Sequence, residues 1–265
     1  MPPDRFTTGC TLPSETHRLM ITLKDPTLST SHPKSWLKTL TASAALLMLP
    51  VSGLAMPENT ATQDDLQPLA PFEAQYRLKV SGWPGATITH QLSQESQHWL
   101  SDMRFSITIA RGQERSRFTA DNANTHSLMY DSSYSVLGIG DSYQLRASDI
   151  ATQDRQTAII DLARRAGSAR CSSVSPCDIH FVDHRGREEH FQYYLADIQS
   201  LKVPAGEFDT HSVILFDAEK PDRQLRISFH ADYPGLILEA LYQKDGKRNT
   251  HITLTRLNSL GDSTD

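Results

Sequence analysis

From Phe72 onward the chain alternates between apolar and polar positions. Phe72, Ala74, Tyr76, Leu78 and Val80 are interleaved with Glu73, Gln75, Arg77 and Lys79, and a period of two places each set on its own face of a strand. After the turn-forming SGWPG, Ala86, Ile88 and Leu92 alternate with Thr87, Thr89 and Gln91, so the two runs predict an opening hairpin. In a third strand Trp99, Met103, Phe105, Ile107 and Ile109 share one face, and Asp102, Arg104, Ser106 and Thr108 share the other. Short runs over 115–120, 125–136 and 142–147 continue between Asn, Asp, Gly and Ser punctuation, and a meander is their simplest path. Runs over 236–243 and 249–257 flank KDGK, where Asp245-Gly246 supplies the positive φ of a tight hairpin turn.

One segment breaks this rhythm. In TQDRQTAIIDLARRAG, Ala158, Ile159, Leu162, Ala163 and Ala166 recur at helical spacing, Asp154 stands at the cap position, and Gly167 ends the pattern. Arg164 and Arg165 near the C-terminal end suit the helix dipole. A single amphipathic helix covers the apolar face of a one-sided sheet or plugs its mouth. The predicted fold is therefore mainly β: a strongly curved antiparallel sheet or open β-barrel with one packed amphipathic helix. The β-rich domain is predicted over 72–258, after a polar, aperiodic lead-in at 56–71 and before a short tail at 259–265.

Residues 34–55, KSWLKTLTASAALLMLPVSGLA, have a basic start, an apolar run over 42–51 and a small-residue ending, the pattern of a cleavable export signal. About ten apolar residues are too few to cross roughly 30 Å of hydrocarbon as a helix. Cleavage is expected after Ala55, residues 1–55 are set apart from the fold, and Met20 is an alternative start to Met1. Cys10 precedes the apolar run, which argues against its lipidation. A periplasmic location and no transmembrane span in the mature chain follow as expectations. Cys171 and Cys177 in CSSVSPC read as a disulfide in an oxidising compartment, with free thiols the alternative; a structural zinc site would need a second Cys or His pair. The chain carries 26 Lys and Arg against 31 Asp and Glu, a net charge of −5. With no basic run, nucleic acid is not an expected partner.

The opening PFEAQYRLKVSGWPGATITHQL, the helix motif TQDRQTAIIDLA, the FVDHRGREEHFQYYL hairpin and LKVPAGEFDTHSVILF together resemble domain of unknown function family 3108, over roughly residues 71 to 257. The resemblance implies an exported, β-rich envelope protein of Gram-negative bacteria with no established activity, and it assigns no functional residues. The chain departs from the family after the V-P-A-G strand, where members often carry a Trp-containing strand and LRISFHADYPG has Phe229 instead.

Candidate chemistry is sparse. A hairpin turning at Arg185-Gly186 sets His180 opposite His190 near several carboxylates, a weak metal candidate whose spacing fits no zinc pattern. No G-x-S-x-G elbow accompanies the serines, and GIGDS at 138–142 lacks the third Gly, the Lys and the helix of a phosphate loop, so it reads as a turn. Glu188 and Glu189 are adjacent on a strand, point to opposite faces and read as a surface feature. VPAGEF reads as strand, tight turn and strand. The stripe Tyr76, Trp99, Phe105, Ile107 and Phe229 is the candidate lining of an apolar cavity, with plain core as its alternative. No enzyme activity and no cofactor are expected. The expected function is a non-enzymatic periplasmic protein that binds or carries a hydrophobic, lipid-like ligand; the alternative is an envelope scaffold with a filled core that docks another envelope protein.

Overall fold

Strand β1 (Phe72–Val80) buries Phe72, Ala74 and Tyr76, and β2 (Ala86–Glu95) buries Ala86, Ile88, His90 and Leu92, so the expected alternation sets their inward faces. A computed structural model of the chain describes residues 66–259. The export signal, Cys10, most of the lead-in and the last residues of the tail lie outside the described residues. Residues 66–71, the end of the aperiodic lead-in, have no regular secondary structure yet are packed: Leu66 is buried and donates its N–H to the Asn122 carbonyl.

Four strands follow: β3 (His98–Ile107), β4 (Ala110–Ala120), β5 (Thr125–Val136) and β6 (Ile139–Arg146). After helix α1 (Arg155–Ala166) come β7 (Cys177–Val182), β8 (Glu188–Ala196), β9 (Ser200–Val203), β10 (Gly206–Asp217), β11 (Lys220–His230), β12 (Ile237–Lys244) and β13 (Lys247–Ser259). Ile109, expected on the third strand, instead sits in the turn after Ile107 and is partly exposed, because the hairpin reverses two residues earlier. Leu137 and Gly138, both at positive φ, turn β5 into β6; of the GIGDS segment expected as a turn only Gly138 lies in it, and the rest begins β6. The KDGK turn has Asp245 at φ 51° and Gly246 at φ 69°, the pair of left-handed residues that a two-residue hairpin needs.

The strand order is β6-β5-β4-β3-β2-β1-β13-β12-β11-β10-β8-β7, with β9 paired to β10. Two antiparallel meanders are thus joined at the centre by β1 pairing with β13, while β6 and β7 form the outer edges. Register shifts at Gln75/Tyr76, Arg117/Phe118, Ser228/Phe229 and Tyr242/Gln243 bend the strands. The only chain linking one edge to the other carries α1, and that helix packs on β4, β5, β7 and β10, strands from both arms. The sheet is therefore strongly curved around the helix without closing into a barrel.

The helix is buried around most of its circumference rather than along one stripe. Ala158, Ile160, Leu162, Ala163 and Ala166 are buried, as are Gln156, Thr157 and Arg164. Arg164 lies in the last turn, as expected for the helix dipole, and also donates to the carbonyls of Gln67, Asp121 and Asn124 and to the Thr125 hydroxyl. It fastens the helix's C-terminal end to the lead-in and the β4–β5 turn. The exposed side holds the Asp161–Arg165 ion pair, one turn apart. Past Gly167, Cys171 and Cys177 are disulfide-bonded with their Cα atoms 5.4 Å apart, tying the helix exit to the start of β7.

The N-terminal end of α1 is fixed by Asp154. Its Oδ1 accepts from the N–H groups of Gln156 and Thr157, and its Oδ2 accepts from the hydroxyls of Ser116 on β4 and Thr157. Its own N–H donates to Ser127 Oγ on β5, and the neighbouring Gln153 carbonyl accepts from Val182 N–H on β7. The cap is thereby also the tie between the two arms. Asp154→Ala is expected to lower stability by about 3 kcal/mol, an N-cap loss plus stranded buried hydroxyls. Ser116→Ala should cost less, and the double variant should cost less than the sum, because both act on one network. Urea unfolding of the four proteins measures this; full additivity would show that the Ser116–Asp154 contact couples nothing.

Candidate functional site: an apolar cavity at the helix N-terminus

Between the concave face of the sheet and the first turns of α1 lies a cavity of about 250 Å³. Its walls come from every part of the fold: Ile88 and Phe105 from the N-terminal meander, Ile159 from α1, Phe191 from β8, Ile227 from β11 and Ile252 from β13. Phe181 and Phe191 stack on one wall with ring centroids 5.7 Å apart. Polar side chains on the wall include Glu114, Arg155, Gln156, Asp183, Glu189, Lys244, Asn249 and Thr250.

The charges at this end are arranged in pairs. Arg155 donates to Glu114, and Tyr130 Oη donates to Glu114 Oε2 at 3.0 Å. Burial alone would lower the Arg155 guanidinium, but the Glu114 carboxylate and Tyr130 more than reverse this and hold it charged. Asp183 takes both the side chain and the N–H of Arg187. Burial tends to raise the Asp183 carboxyl, yet these hydrogen bonds leave it below the usual range. Glu189, read from its neighbour Glu188 as a surface feature, is instead buried on the cavity wall, because strand alternation sends Glu188 out and Glu189 in.

Of the five residues expected to line a cavity, Phe105 is on the wall. Tyr76, Trp99 and Phe229 are packed in the hydrophobic core, and Ile107 is half-buried at the end of β3, away from the cavity. His180 and His190 are directly opposite each other in the β7–β8 register and stack at 4.3 Å. Their rings lie on the exposed face, where His190 Nε2 and Asp178 Oδ1 are 2.8 Å apart. No group of three or more His, Cys, Asp or Glu among the described residues is placed to hold a metal ion.

Periodicity of apolar residues passed over the polar residues on inward positions. His90 and Ser101 face the cavity from β2 and β3, with His90 Nε2 3.0 Å from Ser101 Oγ and His90 Nδ1 3.4 Å from Tyr76 Oη. A nucleophilic Ser–His pair needs a carboxylate or equivalent to orient the ring; here the second nitrogen meets a tyrosine whose hydroxyl burial pushes up. The trio pairs buried polar atoms with one another. Strand parity was the signal that would have found both residues: each occupies a position whose neighbours two residues away are apolar.

Fold and site together define a curled, incompletely closed antiparallel sheet wrapped on an internal helix with an apolar cavity at one end. The chain matches no family model and no curated protein. Among solved structures it is similar to the crystal structure of MucB, at 12% identity and a TM-score of 0.33, covering 78% of this chain and 58% of that one. It is also similar to a chain in the Pseudomonas aeruginosa MucA/MucB complex, at 12% identity and a TM-score of 0.37, covering 74% of this chain and 53% of that one. The chain spans little more than half the length of these neighbours.

Two histidines are held neutral by burial: His90 is lowered to about 4, with Asp102 opposing, and His184, set edge-on against Tyr143, is lowered to about 4. In the unfolded chain each titrates near 6.5. Between about pH 6.5 and 4 the unfolded state therefore binds the extra proton, so stability is full above 6.5 and falls as pH drops toward 4. The melting temperature should decline across this window, and His184→Phe should shrink the decline. An unchanged pH profile in that variant would show that His184 does not carry the effect.

Proposed function

We propose that this chain is an exported, non-catalytic envelope protein that holds a hydrophobic, lipid-like ligand between its curled sheet and α1. The observation that carries the reading is the apolar cavity of about 250 Å³. It exceeds the roughly 150 Å³ of an apolar cavity that accommodates benzene and is somewhat below the usual range for drug-sized ligands, which favours a single acyl chain. The basic, apolar and small-residue sequence of 34–55 and the Cys171–Cys177 disulfide both support export to an oxidising compartment.

A second reading, an envelope protein that docks another protein, is favoured by the tips of two adjacent hairpins. Ile109, Leu137 and Ile139 are 38%, 67% and 83% exposed, and the Leu137 N–H donates to the Ile109 carbonyl at 2.8 Å. Neighbouring apolar tips of this kind mark contact surfaces more often than isolated exposed residues do.

Native mass spectrometry of protein isolated from its own compartment should show a bound small molecule that denaturation releases. Ile159→Trp, which fills the cavity from the helix side, should remove that species while leaving the protein folded. Protein that is empty in every preparation counts against the ligand reading. For docking, a photo-crosslinker at Leu137 in intact cells should trap one defined protein, and Ile139→Ser should weaken the capture; recovery of abundant bystanders alone would sink that reading.

A further inference from the structure

The cavity wall contains side chains that the protein itself leaves without a partner. Gln156, the second residue of α1, is 4% exposed, and neither its Nε2 nor its Oε1 has a hydrogen-bond partner among the described residues. Thr250 on β13 is 3% exposed, and its Oγ1 is likewise unpartnered. Both line the same cavity. Both also belong to the end of the sheet where hairpins turn: Thr250 pairs with Val80 at the close of β1, and Gln156 follows Arg155, whose guanidinium is held by Glu114 near the β3–β4 turn. Most buried polar side chains in folded proteins are hydrogen-bonded, so an unpartnered pair on residues that line one space points to a group that would partner them from that space.

We infer that Gln156 and Thr250 recognise the head of a single-chain amphiphile whose apolar tail fills the cavity and whose head is an uncharged acyl ester or amide bearing a hydroxyl or N–H. This inference rests on the ligand-binding reading above. A carboxamide offers two donors and an acceptor, and a hydroxyl offers both, so the two side chains match a head that also accepts and donates. The ester or amide carbonyl accepts from Gln156 Nε2, and the head's hydroxyl or N–H donates to Gln156 Oε1 or Thr250 Oγ1. A plain hydrocarbon would leave all three atoms unpaired. A carboxylate accepts only, leaving Gln156 Oε1 without a donor, and the Arg155 cation beside Gln156 is already engaged by Glu114.

The test uses the full chain and displacement of the fluorescent apolar probe N-phenyl-1-naphthylamine by three compounds with a twelve-carbon chain: glycerol monolaurate, laurate and dodecane. The wild-type protein should release the probe at about tenfold lower glycerol monolaurate than laurate or dodecane, the discrimination that one or two well-made hydrogen bonds provide. Gln156→Leu and Thr250→Val should each erode that preference while still binding the probe, and Gln156→Leu should melt no lower than wild type, because it removes an unpaired amide. Should Gln156→Leu fail to fold, the Thr250→Val profile decides alone. Equal displacement by all three compounds, tighter binding of laurate, or a preference unchanged in the variants overturns the head-group assignment and leaves the cavity reading standing. Absence of any probe binding overturns both.

Discussion

Asp154 is fully buried and reaches three structural units at once: the backbone N–H groups that open α1, the Ser116 hydroxyl on β4 and, through its own N–H, the Ser127 hydroxyl on β5. A carboxylate is tolerated in the interior only when donors surround it, and here the donors come from pieces of chain that must converge for the fold to exist. One residue earlier, the Gln153 carbonyl holds Val182 on the opposite edge of the sheet. The strand order leaves β6 and β7 unpaired with each other, so this short stretch does what a closing ladder does in a true barrel. Curvature, helix placement and the enclosed space all follow from that tie.

A helix of twelve residues cannot fill the whole concavity of so broad a sheet. Its C-terminal half does the packing, with Leu162, Ala163 and Ala166 in one cluster with Phe72, Tyr76 and Phe229. Its N-terminal half, with Arg155, Gln156, Ala158, Ile159 and Ile160, fronts the cavity, and Ile160 belongs to the core cluster as well. Core and cavity are therefore two ends of one interior. Arg164 and the disulfide fasten the helix exit, and the Asp154 tie fastens its start beside the cavity.

Much of this was legible in the sequence because one-sided strands carry a strict period of two: β1 and β2, the helix with its Asp154 cap and Gly167 end, and the Asp245-Gly246 turn can each be read directly. The pairing of β1 with β13 was not, since no local pattern specifies which distant strand lies alongside. Nor was the cavity. Parity tells which face a residue occupies, so Tyr76, Trp99, Phe105 and Phe229 all read as inward; whether an inward residue meets the helix or a space depends on where α1 stops filling the sheet. Gln156, Thr250, His90 and Glu189 escaped because apolar periodicity searches for hydrophobic residues, and these are polar ones on inward positions. The buried roles of Arg164 and Asp154 were half visible: the residue types suit a helix terminus, but the carbonyls and hydroxyls they engage belong to other elements.

The two functional readings meet at one end of the molecule. Ala110 pairs with Val136, which sets the β3–β4 and β5–β6 turns side by side, and the cavity's Phe105 and Gln113 lie a few residues from the first of them. The exposed Ile109, Leu137 and Ile139 thus stand at the same end of the sheet as those two lining residues. The Arg155–Glu114 and Asp183–Arg187 pairs keep that end from presenting these charges singly. Arg155 and Glu114 connect the helix N-terminus, where Gln156 lines the cavity, to β4, the strand that begins directly after Ile109.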